Sequence, residues 1–371
     1  MKAYTELVRH GGNQRLFQAI EMSVLATQVN RPLHIHAEGA RGTGKTTLFR
    51  AARDLLPLIQ RIRGCRYNCH PLQPHCPEHF HLSPEEAAEI GIEQVPMPFW
   101  EISSGAEIST VAGSINVHNF PAAAHPGASI LPGIIPRANR GILFIDDINQ
   151  LAAASPAVMK IILEVMAAKP GRVQIEQSGL PTVQIPVQVS VWAASDPDGF
   201  PGPLERVCKT LIDCFDMVIR LGRPQERDIV QQLLQQSQVY RTNPRQVIFN
   251  DPLILLRQQQ RKLRAVAGVF DQIRLSDALK NMIANIYLDF GLQSLRAVEA
   301  MELGSRLQAA LQNRQQVQMA DLAAIIPLIL AHRVSLQTLE KVLAYLDYAQ
   351  FIEARPTLPA KLEKTETHIS T

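Results

Sequence analysis

Residues 39–46 read GARGTGKT, which is the pattern of a loop that binds phosphate groups. Glycines allow successive backbone N–H groups to point at phosphate oxygens, Lys45 brings a positive charge, and Thr46 offers a hydroxyl to Mg²⁺. A glycine-rich turn without a ligand is the alternative, but a β-prone run precedes the loop and a helical pattern follows it. The pattern predicts that ATP and Mg²⁺ bind here, with these residues around the nucleotide: Gly39, Ala40, Arg41, Gly42, Thr43, Gly44, Lys45, Thr46 and Thr47.

Two acids, Asp146 and Asp147, follow the apolar run 141–145. Such a run is typical of a strand that is buried on both faces and carries function at its carboxyl end. We expect Asp146 to hold Mg²⁺ together with Thr46, and Asp147 to stand where a base activates the attacking water. Aspartate is one methylene shorter than glutamate, so this base would lie further from its water. A solvated strand end without chemistry is the alternative.

Three of the five cysteines cluster in one segment, where Cys65, Cys69, Cys76 and His79 form the pattern Cys-x3-Cys-x6-Cys-x2-His. Thiolates and imidazoles in two close pairs can hold a tetrahedral Zn²⁺, and an iron–sulfur cluster also accepts such ligands. A polar loop with unligated side chains is the alternative, because Cys-x3-Cys is looser than the usual zinc-ribbon spacing. We favour a metal site in an insertion at 64–83.

The elements that must position these residues are strands alternating with helices up to about residue 222, followed by helical patterns alone. This alternation predicts an α/β domain with a mainly parallel sheet flanked by helices. Two alternating segments around a turn at 178–181 predict a β-hairpin over 173–185. The predicted organisation is an α/β domain at 1–222, a helical domain at 223–354 and a disordered tail at 355–371, with sheet strands at 32–37, 96–102, 141–145, 187–194 and 217–221.

Composition limits the function classes. The chain has 371 residues, of which 46% are hydrophobic and 19% charged, an ordinary globular balance with material for two domains. The formal charge of +3 is dispersed, so neither a nucleic acid nor a membrane surface is an expected partner. The first residues, MKAYTEL, include no apolar region of a secretory signal, and the apolar stretches are too short to cross a bilayer. We expect a cytoplasmic protein.

The stretch 139–149, NRGILFIDDIN, resembles the Walker B region of the ATPase subunits of magnesium chelatase, which are AAA+ proteins. Residues 104–114, the predicted hairpin and residues 295–333 resemble further segments of that family. The resemblance implies an AAA+ fold with a hairpin insert and a C-terminal helical lid. It also implies a homo- or hetero-oligomeric ring, with ATP held between the α/β domain, the lid and a neighbouring subunit. The implied partners are an adhesion-type (D-like) subunit and a large chelatase subunit.

Three residues depart from the pattern of that family. Asp147 replaces a glutamate, and Asp196 stands at the sensor 1 position, where a carboxylate repels the γ-phosphate unless a cation intervenes. Cys214 replaces the arginine finger, and a thiol cannot supply a fixed positive charge. Arg206 is a candidate substitute, although a surface ion pair with Glu205 is the alternative. The departures bear on ATP hydrolysis rather than on ATP binding.

Three functions follow from these observations. The first is an ATP-hydrolysing subunit of a magnesium-chelatase-like complex, which couples ATP to metal insertion into a tetrapyrrole by partner subunits. The second is a MoxR-like chaperone or remodelling ATPase that acts with a von Willebrand A-type partner. The third is a regulatory subunit that binds nucleotide with impaired hydrolysis. The catalytic candidates, including the residue that matches the sensor 2 arginine, are Lys45, Asp146, Asp147, Asp196 and Arg296.

Overall fold

The computed structural model describes residues 2–115, 130–176, 182–242 and 252–353. The predicted hairpin turn at 178–181 and the predicted tail at 355–371 lie outside the described residues. The described strands are β1 (Ile35–Glu38), β2 (Leu58–Ile62), β3 (Ile92–Pro96), β4 (Phe99–Ile102), β5 (Gly113–Ile115), β6 (Ile130–Pro132), β7 (Gly141–Ile145), β8 (Gly171–Ile175), β9 (Val183–Val187), β10 (Val189–Ser195) and β11 (Met217–Arg220).

The described α-helices fall into two groups. Those of the α/β part are α1 (Gln14–Gln28), α2 (Lys45–Ala51), α3 (Pro84–Ile90), α4 (Ile108–Val111), α5 (Ile134–Arg137), α6 (Ile148–Ala154), α7 (Pro156–Ala167), α8 (Leu204–Val207) and α9 (Lys209–Cys214). Those of the helical part, called the lid below, are α10 (Arg227–Thr242), α11 (Pro252–Val269), α12 (Asp277–Asp289), α13 (Leu295–Leu311), α14 (Met319–Leu330) and α15 (Leu336–Glu353).

A parallel sheet lies at the centre of the α/β part, and its described strands run in the order β11-β1-β10-β7-β4. β7 and β10 are buried at every residue, as expected of apolar strands covered by helices on both faces. Because the strands are parallel, the sheet has a carboxyl edge, where Glu38, Ile145 and Ser195 end their strands, and an amino edge at the opposite side. The predicted parallel sheet is confirmed.

Alternate side chains of the sheet point into two separate cores, because successive residues of a strand face opposite sides. Phe144 and Trp192 belong to one core, which also contains α1, α2 and most of the lid. Leu143 and Val191 belong to the other, which contains α6, α7, the β8–β9 hairpin and the cysteine segment. The glycine loop (39–46) and the cysteine segment (64–83) are therefore supported from opposite faces of one sheet.

Three antiparallel hairpins stand outside the sheet in the described chain. The predicted hairpin is confirmed, since β8 pairs with β9. β2 pairs with β3 and brackets the cysteine segment, and β5 pairs with β6; the sequence analysis predicted neither pairing. The sheet strand predicted at 96–102 is confirmed but shorter, because β3 ends at Pro96 and pairs with β2, and β4 joins the sheet only from Phe99. Pro96 and Pro98 cannot donate to a ladder, which explains the division.

The lid consists of helices, as predicted, and packs beside the sheet. α13 and α14 pack on each other, α13 also contacts α1, and α14 contacts β11. Arg333, just after α14, is almost fully buried and donates to the carbonyl oxygens of Asp213 at 3.0 Å and of Phe215 at 2.8 Å. These bonds fasten the lid to the segment that enters β11. Within the described residues, no helix is long and apolar enough to cross a membrane.

Candidate functional site

The glycine loop leaves β1 at the carboxyl edge and leads into α2, as the sequence predicts. Gly42 and Gly44 have φ of 82° and 90°, in the left-handed region that favours glycine. A Cβ built on either would meet no atom within 4 Å, so open space lies beside the loop. The loop thus has the backbone conformation and the room that a phosphate group requires.

Lys45 begins α2 and is buried, with its ammonium folded back on the loop. Nζ donates to the carbonyl oxygens of Gly39 at 2.5 Å and Ala40 at 2.9 Å. Burial lowers the pKa of Lys45, against the opposing effect of the carboxylates of Asp196 and of the strand-end acids. The amine is therefore held in a cluster of acids at the carboxyl edge, where a phosphate would compete with the two carbonyl groups for it.

Thr46 and Asp146 are brought together from positions far apart in the chain. Thr46 Oγ1 donates to Asp146 Oδ1 at 3.0 Å. Burial, together with neighbouring Asp147, raises the pKa of Asp146, although the Thr46 bond acts in the other direction. The two side chains that the sequence assigns to Mg²⁺ therefore lie within direct contact of each other.

A second pair at this place was not predicted from the sequence. Arg50 Nε donates to Glu101 Oε2 at 3.2 Å, and Arg50 Nη2 lies 3.4 Å from Asp146 Oδ2. A signal for Arg50 was available, because it follows Thr46 by four positions and so lies on the same face of α2. Glu101 could be placed only after β4 was known to pair with β7. Asp146 thus has an arginine beside it.

Asp147 caps α6 with a left-handed backbone, φ 49°. Aspartate and asparagine adopt this conformation more readily than other residues that carry a side chain. This offers a local reason for aspartate at a position where the resembling family has glutamate. Its carboxylate is close enough to Lys45 and Asp146 to affect the pKa of each. The structure therefore groups Asp147 with the other predicted residues of the carboxyl edge.

Asp196 follows β10 at the carboxyl edge and is buried. Its Oδ2 lies 3.3 Å from Nε of Arg41, which belongs to the glycine loop. Asn149 donates from Nδ2 to the backbone oxygens of Asp196 at 3.1 Å and Gly202 at 3.0 Å, which fixes the turn after the strand. A cation thus stands beside the carboxylate that the sequence analysis expected to repel the γ-phosphate, and that cation comes from the loop itself.

Arg296 is not brought to the glycine loop of the same chain. Its Nη1 donates to Cys214 Sγ at 2.6 Å and its Nη2 to the Ala167 carbonyl oxygen at 3.3 Å. Cys214 lies three residues before Met217, the first residue of β11, which pairs with the start of β1. Arg296 therefore lies at the amino edge, across the sheet from Lys45. Sequence position alone could not show this, because it depends on how the lid docks.

Arg206 lies on α8 and is exposed, as is Glu205. No ion pair joins the two in the part of the chain that the structure describes. Arg206 is thus available at the surface, and the surface ion pair considered as an alternative is not formed. Its role as a substitute finger stays a prediction.

The structure also gathers Cys65, Cys69, Cys76 and His79. One ligand atom of each residue lies within 4.8 Å of all the others, and the three thiols are fully buried. This cluster is separate from the nucleotide residues, since it lies in the insertion between β2 and α3. The set predicted from spacing is therefore the set that the fold assembles.

Comparison with known proteins gives one consistent picture. Residues 280–343 match the AAA lid domain. The chain is 27% identical over 317 residues to the magnesium-chelatase 38 kDa subunit of Acidiphilium rubrum, covering 83% of this chain and 85% of that one. It is 25% identical over 305 residues to the chloroplastic magnesium-chelatase subunit ChlI-2 of Arabidopsis thaliana, covering 81% and 69%. The crystal structure of a presumed ATPase from Cytophaga hutchinsonii has the same fold, with a TM-score of 0.52, 16% identity and coverage of 90% and 89%.

Proposed function

Because this chain is a magnesium-chelatase I-subunit-like member of the AAA+ proteins, we propose that it binds and hydrolyses ATP as a subunit of an oligomeric ring. In this proposal the ring drives partner subunits, one of adhesion type and one large, that insert a metal ion into a tetrapyrrole. The observation that carries the ATPase part is the contact of Thr46 with Asp146 beside an open glycine loop. The metal-inserting chemistry belongs to the partners.

ATP and Mg²⁺ fit the residues of the carboxyl edge. The glycines of the loop border open space. The hydroxyl of Thr46 and the carboxylate of Asp146 provide the oxygen ligands that Mg²⁺ prefers. Bound ATP supplies the phosphoryl group that is transferred to water. Lys45 has an amine whose present acceptors are two carbonyl groups, and a phosphate is the stronger acceptor for a buried ammonium.

The chain's own acids would do the proton chemistry. Asp147 is the residue we assign to orient the attacking water and accept its proton, since it follows the strand that carries Asp146. Asp196, held between Arg41 and the turn fixed by Asn149, lies beside the loop without leaving an uncompensated negative charge there. These residues can therefore act as a unit with Lys45.

The positive charge that stabilises the phosphoryl group during transfer would come from a second subunit. Arg296 lies at the amino edge, so it cannot serve the glycine loop of its own chain without the lid moving. In a ring built by repeated contact of one subunit's amino edge with the next subunit's carboxyl edge, Arg296 would face the neighbour's nucleotide. Exposed Arg206 is the second candidate for this role.

A regulatory subunit with impaired hydrolysis is the second candidate function. The observation that favours it is Cys214, which stands at the finger position and is engaged by Arg296 in the same chain. If that contact persisted in the ring, neither residue would be available to a neighbour. ATP would then bind and hold the ring together without rapid turnover.

The deciding experiment is steady-state phosphate release from the purified full-length protein with Mg·ATP, alone and with candidate partner subunits. Asp146→Asn is the control for hydrolysis, and Lys45→Ala, read by binding of a fluorescent ATP analogue, is the control for the site. Turnover that is lost in Asp146→Asn supports the ATPase. Tight binding without turnover, with or without partners, supports the regulatory subunit, and affinity that survives Lys45→Ala overturns the nucleotide site itself.

A further inference from the structure

The cysteine segment is a loop without a sufficient apolar core of its own. It leaves β2 at Ile62 and reaches α3 at Pro84, and it is rich in Pro, His and Cys. Cys65, Cys69 and Cys76 are nevertheless fully buried and form no disulfide with one another. Three buried thiols directed at one point need a reason beyond packing, because a few small apolar side chains would fill the same space without polar sulfur.

The geometry of the cluster matches a single tetrahedral ion. With zinc–sulfur bonds of about 2.3 Å, ligand sulfurs lie about 3.8 Å apart. All four ligand atoms already lie within 4.8 Å of one another, and Cys76 Sγ is 3.1 Å from Nδ1 of His79. An iron–sulfur cluster places its cysteines on different iron atoms and so needs them further apart. The spacing therefore favours one ion over a cluster of ions.

Hydrogen bonds around Cys69 favour the thiolate form of its side chain. Its Sγ accepts from the backbone N–H groups of His75 at 3.4 Å and Cys76 at 3.3 Å. The Sγ of Cys65 accepts from the backbone N–H of Cys69 at 3.4 Å. N–H donors directed at sulfur stabilise the charged form, which is the form that binds metal. Backbone N–H groups of the loop thus donate to two of the sulfur atoms.

The neighbouring His75 is a donor to the cluster rather than a ligand. Asn139 accepts at Oδ1 from the backbone N–H of Gln188 at 2.8 Å, which leaves its Nδ2 to donate to His75 Nε2 at 3.1 Å. Because Nε2 then accepts, the proton of His75 is on Nδ1, which lies 3.3 Å from Cys69 Sγ. Side chains that hydrogen-bond to a metal ligand in this way hold that ligand in place. It leaves His79 as the fourth ligand.

We propose that Cys65, Cys69, Cys76 and His79 bind one Zn²⁺ ion, which fixes the cysteine segment against the entrance to the strand that carries Asp146. Four protein ligands complete a tetrahedral shell, so the site is structural and not catalytic. The inference does not rest on the proposed ATPase activity, since the cluster shares no residue with the nucleotide site.

The proposed ion is connected to β7 by the residues around it. Asn68, between two of the ligands, donates from Nδ2 to the Arg137 carbonyl oxygen at 2.8 Å. Arg140 donates from Nη1 to the carbonyl oxygens of Gln60 at 2.6 Å and Asn68 at 3.3 Å. Asn139 also donates to the Tyr67 carbonyl oxygen at 3.0 Å. The segment just before β7 is therefore held by the loop that the ion would fold.

Elemental analysis of the full-length protein, purified without a metal-affinity column, tests the site directly. We expect about one zinc per chain, lost in Cys76→Ser and His79→Ala but kept in His79→Cys, which supplies a thiolate at the same place. Cys208→Ser is the matched control, because that cysteine lies outside the cluster and should leave the zinc content unchanged. A wild-type protein without zinc after refolding in its presence, equal zinc in all variants, or iron with labile sulfide would each overturn the proposal.

Hydrogen exchange separates a structural ion from an adventitious one. Removing zinc with a chelator should increase exchange of the amides in 64–82 and of the Gln188 amide, which depends on Asn139, and adding zinc should restore protection. The amides of α13 in the lid serve as the internal control and should not change. Unchanged exchange in 64–82 after verified zinc loss would refute the structural role even if the metal is bound.

Discussion

At the scale of single residues, the site is governed by how its negative charges are compensated. Asp146, Asp147 and Asp196 all lie near Lys45; Asp146 also contacts the Thr46 hydroxyl, and Asp196 contacts the Arg41 guanidinium. One of these pairs joins Arg41 Nε to Asp196 Oδ2 at 3.3 Å. Arg41 is largely exposed, with 78% of its side chain accessible, so its charge is partly screened by solvent.

We expect Arg41→Gln to weaken binding of a fluorescent ATP analogue by about fivefold, because Asp196 would then repel the phosphates without compensation. The double change Arg41→Gln with Asp196→Asn should restore most of the affinity. Titrations of the wild type, the single variants Arg41→Gln and Asp196→Asn, and the double variant at equal ionic strength measure the coupling. If the double variant binds as weakly as Arg41→Gln, Arg41 acts on the nucleotide itself and the compensation account fails.

At the scale of elements, close approach of two backbones fixes where β7 begins. A Cβ at Gly141 would lie 2.3 Å from the Pro98 carbonyl oxygen and 2.8 Å from Pro98 Cβ. That carbonyl accepts the Ile142 N–H at 2.8 Å, so the same atoms start the pairing of β4 with β7. The strand that leads into Asp146 therefore has its position set at its first residue.

Gly141→Ala should destabilise the protein by about 2 kcal/mol, since an added methyl group must displace the backbone of β4. Gly105→Ala is the matched control, because a Cβ there meets nothing within 4 Å, and it should cause no loss. Denaturant unfolding of both variants measures the free energy. Equal stability of the two would show that β4 is free to shift.

The buried guanidinium of Arg333 joins the lid to the segment that enters β11. Arg333 donates to the carbonyl oxygens of Asp213, Phe215 and Ile329, and its side chain is 5% exposed. Replacement by alanine would leave these acceptors without a donor in a buried place. A lysine could reach at most some of them, because its ammonium is a point charge and not a planar fork.

Arg333→Ala should therefore lower the free energy of unfolding by ~3 kcal/mol, and Arg333→Lys should recover less than half of the loss. Arg220→Ala provides the comparison, since its ion pair with Glu38 is at the surface with 68% of the arginine exposed. That change should alter stability by less than about 0.5 kcal/mol. Thermal unfolding of the three variants distinguishes a fastening role from a general effect of removing an arginine.

The sequence predicted the sheet, the hairpin and the helical lid because each leaves a periodic trace in the residues that form it. Glycine and cysteine spacing is local information, so the sequence also indicated the glycine loop and the four side chains that the fold gathers at Cys65, Cys69, Cys76 and His79. Arg50 beside Asp146, and Asn139 beside His75, arise from pairings between distant segments and leave no such trace. Arg296 was assigned by likeness, but its edge of the sheet depends on lid docking, which no single segment encodes.

At the scale of the whole molecule, the parallel sheet gives the subunit two different edges. Its carboxyl edge carries the nucleotide residues, and its amino edge carries Arg296. Such a subunit can join head to tail with copies of itself, and a closing rotation gives a ring. Each active site in that ring would draw on two chains.

A mixing experiment tests this division. Asp146→Asn and Arg296→Ala should each be inactive alone under the ATPase proposal. Mixed in equal amounts they should recover part of the wild-type phosphate release, because roughly a quarter of randomly formed interfaces pair an intact acid with an intact arginine. Wild-type protein mixed with either variant verifies subunit exchange. Exchange without recovery would mean that Arg296 serves its own chain or none.

Arg50 can compete with magnesium for the carboxylate of Asp146. It stands at the carboxylate that the proposal assigns to Mg²⁺. A ligand that binds only when such a group has moved away is bound more weakly, in proportion to the fraction of molecules in which the group has moved. Free Mg²⁺ has no further contacts to offset the competition from Arg50. Mg·ATP also contacts the glycine loop, and those contacts offset it. We therefore expect Mg²⁺ to bind together with ATP. Without ATP, changes in the concentration of free Mg²⁺ should have little effect on occupancy of this site.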